Sequence, residues 1–419
     1  MEDEGCSIVL DVGSGSTKIG YSGDDLPLSV LPSVIVSAAP VSDSRDTPSR
    51  AQRPECRECY RGYDSLHPED HATRDIWPVQ KGQCQSTADL ETLLHNVFRT
   101  ELGSGAEAQR PVLLTESPST TRARRAEAAE LLFEGLKAPA LSMCNTASLS
   151  LFAAGRTRGL VVECGAGAAH AVPVFEGYAL AHAALRVDAA GRDVTLRLAQ
   201  LLQQQHGSSG GSGSGSGGSA PLSLDVVRAI KERMCHVLPR GGGGAAAEED
   251  IGAAAAAAAA DMKYELPDGS IVRISGECAA EPAEVLFENK HGRGGLASAA
   301  AAAIAMCDEQ VRTDLRGAVV LSGGTTMLPG FCERFAQELE AAIDGGSGGA
   351  APAADGLVRR PLTVVPHARA REPGYTAQRK YAAWIGGSIV ASLSTFRLLQ
   401  VSRQEYEDAG AGALHRRCL

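Results

Sequence analysis

The stretch Val9-Leu10-Asp11-Val12-Gly13-Ser14-Gly15-Ser16-Thr17-Lys18 has an echo further along the chain, Val161-Val162-Glu163-Cys164-Gly165-Ala166-Gly167-Ala168-Ala169-His170. Each copy is an apolar run, a carboxylate, one small or apolar residue, Gly-x-Gly, and a tail ending in a residue that can carry positive charge. A strand that ends in Gly-x-Gly can turn tightly and leave backbone N–H groups facing an anion. One copy is weak evidence, because ordinary turns use the same residues. Two copies with the carboxylate placed alike point to a duplicated architecture in which two hairpins could hold one polyphosphate. On that reading Asp11 and Glu163 hold a Mg²⁺ through its waters, since that ion dehydrates reluctantly. Lys18 then adds a point charge to the phosphates. The other reading is two ordinary hairpin turns, and the pattern by itself leaves both open.

The rest of the chain reads as layers of helix and sheet. "SIVLDVG", "PVLLTES", "GLVVECG" and "GAVVLSGG" are short, β-branched-rich runs that stop at glycine or polar residues, as buried strands do. Between them lie helical stripes: Leu90, Leu93, Leu94, Val97 and Phe98; then Ala129, Leu132, Phe133 and Leu136; then Val194, Leu198, Leu201 and Leu202. Ser86 with Asp89 three residues on predicts the start of the first, close to a capping box with the shorter acid. Strands alternating with amphipathic helices predict an α/β fold. At 419 residues the chain exceeds what one core usually serves, which predicts two lobes or more.

Composition narrows the function classes. A net charge of −10 disfavours direct nucleic acid binding, because backbone phosphates repel it. No run approaches the roughly 18 apolar residues of a membrane span, and "MEDEGCS" lacks the layout of a signal peptide, so a soluble intracellular protein is expected. The eleven cysteines, an odd number scattered among strands and helices, predict reduced thiols. Cys56-x-x-Cys59 with His67 and His71 offers zinc-compatible ligand types, but the gap between the pairs is shorter than in usual zinc fingers. A polar surface loop is the alternative there. Low-complexity runs at 207–219, 241–260 and 345–356 predict surface insertions, of which the alanine-rich second could extend a helix.

Two further pieces favour the polyphosphate reading. "SGGTTMLPG", Ser322 to Gly330, is a third glycine turn that follows a strand and opens a helix, where free N–H groups can meet a nucleotide. "RAIKER", Arg228 to Arg233, sets Arg228, Lys231 and Glu232 on one helical face, which suits a ribose and base edge. At these residues the chain resembles the actin family. "LDVGSGSTKIGYSGDDLPLSVLPSVI", "SLFAAGRTRGLVVECGAGAAHAVPVFEGYALAHAALRVDAAGRD", "VVRAIKERMCHV", "YELPDG", "VVLSGGTTMLPGF" and the run from Arg379 to Leu419 carry the resemblance in family order. It covers most of residues 7–419, interrupted by the low-complexity runs and by residues 37–59.

The resemblance implies a duplicated actin-like ATPase fold with ribonuclease H-like halves, two lobes and four subdomains around a nucleotide cleft. The first lobe would be 1–152 with 380–419, including a small subdomain at about 35–80, and the second 153–379. ATP or ADP with Mg²⁺ would be the cofactors. Ser14, Gly15, Lys18, Gly165, Ala166 and Gly167 would meet the phosphates, and Asp11 and Glu163 the metal through water. Arg228, Lys231, Glu232, Gly324, Thr325, Thr326, Met327 and Lys380 would line the adenosine side. His170 and Thr146 occupy the catalytic positions, Thr146 in degenerate form.

The departures cluster. Actins have glutamine at Thr146, aspartate at Glu163 and aspartate at Ala166, so groups that bear on water, metal or sugar have changed. Drift in a redundant copy and a relaxed demand for fast hydrolysis both account for this. Residues 37–59 lack the apolar anchors of the actin inter-subunit loop, and the apolar plug has become "KHGRGG", Lys290 to Gly295, whereas "HRRCL" with Cys418 is kept. The expected role is a divergent actin-family protein, cytoskeletal or complex-scaffolding, with slow or lost hydrolysis. Its partners would be actin, other actin-family subunits and actin-binding proteins, in the cytoplasm and cytoskeleton, with a nuclear location open. The alternatives are a conventional filament-forming actin and an actin-related subunit of a chromatin-remodelling or motor-activator complex. Sugar kinases and chaperone ATPases share the clamp, but no separate substrate-binding domain is evident.

Overall fold

In the computed structural model the described residues are 6–38, 73–103, 105–208, 222–239, 261–266, 269–288, 295–345, 361–366 and 375–417. The chain divides into two compact units. One comprises Met1–Arg156, Gly177–Ala179 and Tyr381–Leu419, and the other Thr157–Glu176 and Leu180–Lys380. The Cys56, Cys59, His67 and His71 set, most of residues 37–59, Lys290 to Gly294, Cys418 and nearly all of the low-complexity runs lie outside the described residues.

The first unit is built on a sheet ordered Val401–Ser402, Ala140–Asn145, Val112–Glu116, Ile8–Val12, Ser16–Tyr21, Ser29–Pro32. Ile8–Val12 and Ser16–Tyr21 form an antiparallel hairpin, while Ile8–Val12, Val112–Glu116 and Ala140–Asn145 are mutually parallel neighbours. Parallel neighbours need a crossover, usually helical. The helix Thr87–Glu101 precedes Val112–Glu116, and Arg122–Glu130 lies between the next two strands.

The second unit repeats the plan. Its strands run Leu185–Val187, Ala169–Phe175, Gly159–Cys164, Val319–Ser322, Val364–Val365. Gly159–Cys164 and Ala169–Phe175 are the antiparallel hairpin; Val319–Ser322 lies parallel to the hairpin's first strand and Val364–Val365 parallel to Val319–Ser322. The helix Phe331–Gly345 stands in the place that Arg122–Glu130 takes in the first unit. Both units are therefore one ribonuclease H-like motif, a three-strand meander followed by two parallel strands, and the fold is duplicated α/β.

Local chemistry explains the elements. Ser86 Oγ accepts from the Asp89 backbone N–H at 3.2 Å and caps the first helix, whose Leu93, Leu94, Val97 and Phe98 are buried. The second stripe is not one helix. Ala129 lies in the α-helix Arg122–Glu130, and Leu131–Gly135 continue as a π-turn closed by Leu136 N–H to Leu131 O at 2.9 Å. The third stripe lies on the helix Gly191–Ser208, with Val194, Leu198 and Leu202 buried.

In the first unit the carboxy-terminal helix Ala382–Ser392 packs on Thr146–Ala153 and on the sheet. The close approach depends on glycine: a Cβ on Gly386 would lie 1.9 Å from Leu149 O. Trp384, fully buried, donates its indole N–H to Val9 O at 3.0 Å, satisfying the one polar atom of a large apolar side chain. In the second unit the helix Leu296–Ala305, almost all alanine, lets Ala297, Ala300 and Ala303 bury against Phe331 and Phe335 in one core. No helix among the described residues is long and apolar enough to cross a membrane.

Candidate functional site: two matched hairpins

The two hairpins close their turns with the same backbone hydrogen bond. Gly13 N–H donates to Ser16 O at 3.1 Å, and Gly165 N–H donates to Ala168 O at 3.1 Å. Register sets Asp11 opposite Lys18 in the first and Glu163 opposite His170 in the second. The duplication extends to the neighbouring parallel strand. Thr115 Oγ1 donates to Asp11 Oδ1 at 2.6 Å, and Ser322, buried, stands in register with Glu163.

In the first unit, Asp11 is held from two sides, by Thr115 and by Lys18 Nζ at 2.7 Å from Oδ2. Ser14 Oγ accepts from the Gly82 N–H at 2.8 Å, which ties the hairpin to the turn at Lys81 and Gly82, both with positive φ. Gly15 is buried, and its carbonyl accepts from Ser33 N–H at 3.4 Å. Thr146 is buried at the first position of its helix, whose cap is the Asn145 side chain accepting from Ala147 N–H.

In the second unit, three segments meet at the hairpin turn. Gly191 N–H donates to Gly165 O at 3.0 Å, Arg192 N–H to Ala166 O at 2.7 Å, and Thr325 Oγ1 to Gly165 O at 2.7 Å. Gly191 permits this crowding, since a Cβ there would sit 2.4 Å from Thr325 Oγ1. Gly323, at φ +92°, presses the third glycine turn against the hairpin strand, where a Cβ would meet Cys164 O at 2.4 Å. That turn continues as a 3-10 segment, Gly324–Met327, before the helix Phe331–Gly345.

The "RAIKER" face divides. Arg228 Nε and Glu232 Oε1 pair at 3.1 Å towards solvent, whereas Lys231 is buried with Nζ donating to Gly191 O at 3.1 Å. Burial pushes the Lys231 amine down to about 8, opposed by nearby Glu232. Burial also pushes the Cys164 thiol up to about 12, countered by its hydrogen bond with Thr325 and by Lys231. His170, 5 % exposed, is pushed down to about 4, first by burial and then by Arg186, with Asp188 opposing. Burial and Arg186 thus favour the neutral imidazole at the end of the second hairpin, where the first ends in Lys18. His170 Nε2 is buried without a hydrogen-bond partner among the described residues.

Sequence reasoning missed four residues. Thr115 and Ser322 read as ordinary strand ends, yet "VLLT" and "VVLS" put a hydroxyl at the same place in both parallel strands. Gly191 and Arg379 carried no local signal. Lys380, expected on the adenosine side, is exposed, and the neighbouring Arg379 is the buried cation that grips Thr326. A separate cavity of about 460 Å³ in the first unit, between Phe133, Lys137, Arg403 and Tyr406, contains none of these residues. All cysteines among the described residues are free, and no group of three metal-ligating side chains occurs among them.

The actin family model matches residues 2–210 and 218–419. The chain belongs to the actin family. Of this actin-family chain only 211–217, inside the glycine- and serine-rich run, interrupts the match. An actin-family fold accounts for the duplicated sheets, because each half supplies one hairpin of the same design. The residues present fit a Mg²⁺-nucleotide. Each turn has small residues that leave backbone amides approachable, one carboxylate stands near each, and a buried imidazole nitrogen beside the second turn has no partner among the described residues.

Proposed function

We propose that this actin-family protein binds ATP with Mg²⁺, each hairpin supplying half of the grip on the phosphates, and hydrolyses it slowly or not at all. The observation that carries the reading is the equivalence of Asp11–Lys18 and Glu163–His170 across identically closed turns. Ser14 and Gly15 in one turn and Gly165, Ala166 and Gly167 in the other meet the phosphates, with Lys18 as the cation. Arg228, Lys231, Glu232, the Gly324–Met327 segment and Lys380 take the adenosine end. Asp11 and Glu163 would hold the ion through water, and Mg²⁺, when bound, would supply positive charge against the phosphates.

The chemistry of the remaining residues favours binding over turnover. Thr146 offers a short hydroxyl where a longer amide would orient an attacking water. Ala166 offers no carboxylate, and Glu163 is one methylene longer than aspartate. His170, neutral and with no partner at Nε2 among the described residues, can still accept from or donate to a water. The nucleotide then serves mainly to stabilise the folded state, because a ligand that binds only that state raises its stability by mass action. The role proposed with it is cytoskeletal or scaffolding, in the cytoplasm with a nuclear location open, and with actin, other family subunits and actin-binding proteins as partners. Thermal unfolding with and without millimolar Mg-ATP tests the core of the proposal, and an unshifted melting temperature on folded protein would overturn it.

A further inference from the structure

Arg379 is 6 % exposed, and every hydrogen bond it makes among the described residues goes to a neutral acceptor. Nε donates to Thr326 Oγ1 at 3.1 Å, Nη2 to Thr326 O at 2.8 Å, and Nη1 to Thr376 O at 2.5 Å. Nη2 also approaches Cys332 Sγ at 3.8 Å, and the Arg379 carbonyl accepts from Gly323 N–H at 3.1 Å. A buried charge without a counter-charge is costly, and structural arginines normally find a carboxylate. Here two nitrogens of the planar fork, Nε and Nη2, hold one short 3-10 segment through Thr326. The adjacent residue, Thr325, donates from the same segment to Gly165 O of the second hairpin. Arg379 behind Thr326 and the hairpin beyond Thr325 thus grip the Gly324–Met327 segment from two sides.

We propose that Arg379 is a positioning residue for the nucleotide. Its guanidinium fixes the Gly324–Met327 segment, and through Thr325 the Gly165 turn, in the arrangement that receives the ligand, while its charge, which meets no carboxylate among the described residues, adds a favourable field for an anion. The inference rests on the Mg-ATP reading above and adds to it a residue that does not itself touch the ligand. Lysine cannot replace it, because a single ammonium cannot span the Thr326 hydroxyl, the Thr326 carbonyl and the Thr376 carbonyl in one plane.

The test uses the full chain and three variants, Arg379→Met, Arg379→Lys and Thr326→Val, the last removing only the hydroxyl that Nε holds. Mg-ATP affinity is measured by titration, and amide hydrogen exchange across residues 323–328 is followed in nucleotide-free protein. Arg379→Met is expected to weaken Mg-ATP binding roughly tenfold or more, the loss typical of charge-assisted hydrogen bonds, and to speed local exchange. Arg379→Lys should recover part of the loss, and Thr326→Val should shift both readouts in the same direction by less. Unchanged affinity in Arg379→Met and Thr326→Val overturns the proposal, even if exchange speeds or the melting temperature falls, because the residue is then structural only. Wild-type protein that fails to bind Mg-ATP overturns the nucleotide reading instead, and the inference with it.

Discussion

Lys18 Nζ lies 2.7 Å from Asp11 Oδ2, directly across the first hairpin and with both side chains largely buried. The cation is thereby poised beside the turn, and the carboxylate is fixed by a second donor, Thr115. Asp11→Ala removes the acceptor for both and strands a mostly buried ammonium. The expected loss of folding stability is on the order of 3 kcal/mol, read by denaturant unfolding. The stabilisation conferred by Mg-ATP should also shrink; a variant with wild-type stability and an undiminished nucleotide shift would remove Asp11 from the site.

Gly386→Ala distinguishes packing from propensity. Helix propensity alone favours alanine by about 1 kcal/mol. The structure puts the new Cβ 1.9 Å from Leu149 O, so the helices must separate. A net destabilisation of about 2 kcal/mol is expected from overpacking. Thermal denaturation decides the sign, and a stabilised variant would contradict the close helix contact.

Lys231 makes stability depend on alkaline pH. Its folded value of about 8 lies below the ordinary 10.5. Between those values the unfolded chain holds a proton that the folded chain has released, so stability from this group rises with pH across that window. Wild-type stability relative to Lys231→Met should be flat below pH 8 and climb towards pH 10.5. A flat difference throughout would show that the amine titrates alike in both states.

Thr146→Gln combined with Ala166→Asp should speed phosphate release. Restoring a water-orienting or proton-handling group typically recovers roughly 10²-fold in rate. Single-turnover phosphate release under Mg-ATP reads the change. Fast turnover by the unmodified protein would show that these two positions do not limit it.

Assembly of the pure protein should be weak. Filament contacts draw most of their energy from a few buried apolar anchors, and the segments expected to carry two of them, residues 37–59 and 290–295, are polar in sequence. Loss of two anchors at ~1–2 kcal/mol each weakens every contact by roughly thirty- to several-hundred-fold. Sedimentation in Mg²⁺, ATP and salt with electron microscopy of the pellet checks this; abundant long filaments would refute it.

The sequence by itself determined the duplicated motif. A carboxylate ahead of Gly-x-Gly is a local pattern, and local sterics alone convert it into a strand and tight turn, so both hairpins and their carboxylates were legible. The buried strands and the Ser86-capped helix were legible for the same reason, since periodicity and capping act within a few residues. Tertiary structure decided the rest. Lys231 and Arg228 look equivalent on a helix face, but only the approach of Gly191 turns one inward and leaves the other with Glu232. Arg379 and Lys380 are adjacent cations, and only the position of Thr326, brought in from far along the chain, selects which is buried. The π-turn at Leu131–Gly135 escaped the helical stripe because one extra residue barely disturbs apolar spacing while shifting the backbone hydrogen bond. His170 ends its hairpin as Lys18 ends the other, yet its charge is set by burial and by Arg186. Solvation and charge at a site belong to residues distant in sequence, and no local pattern encodes them.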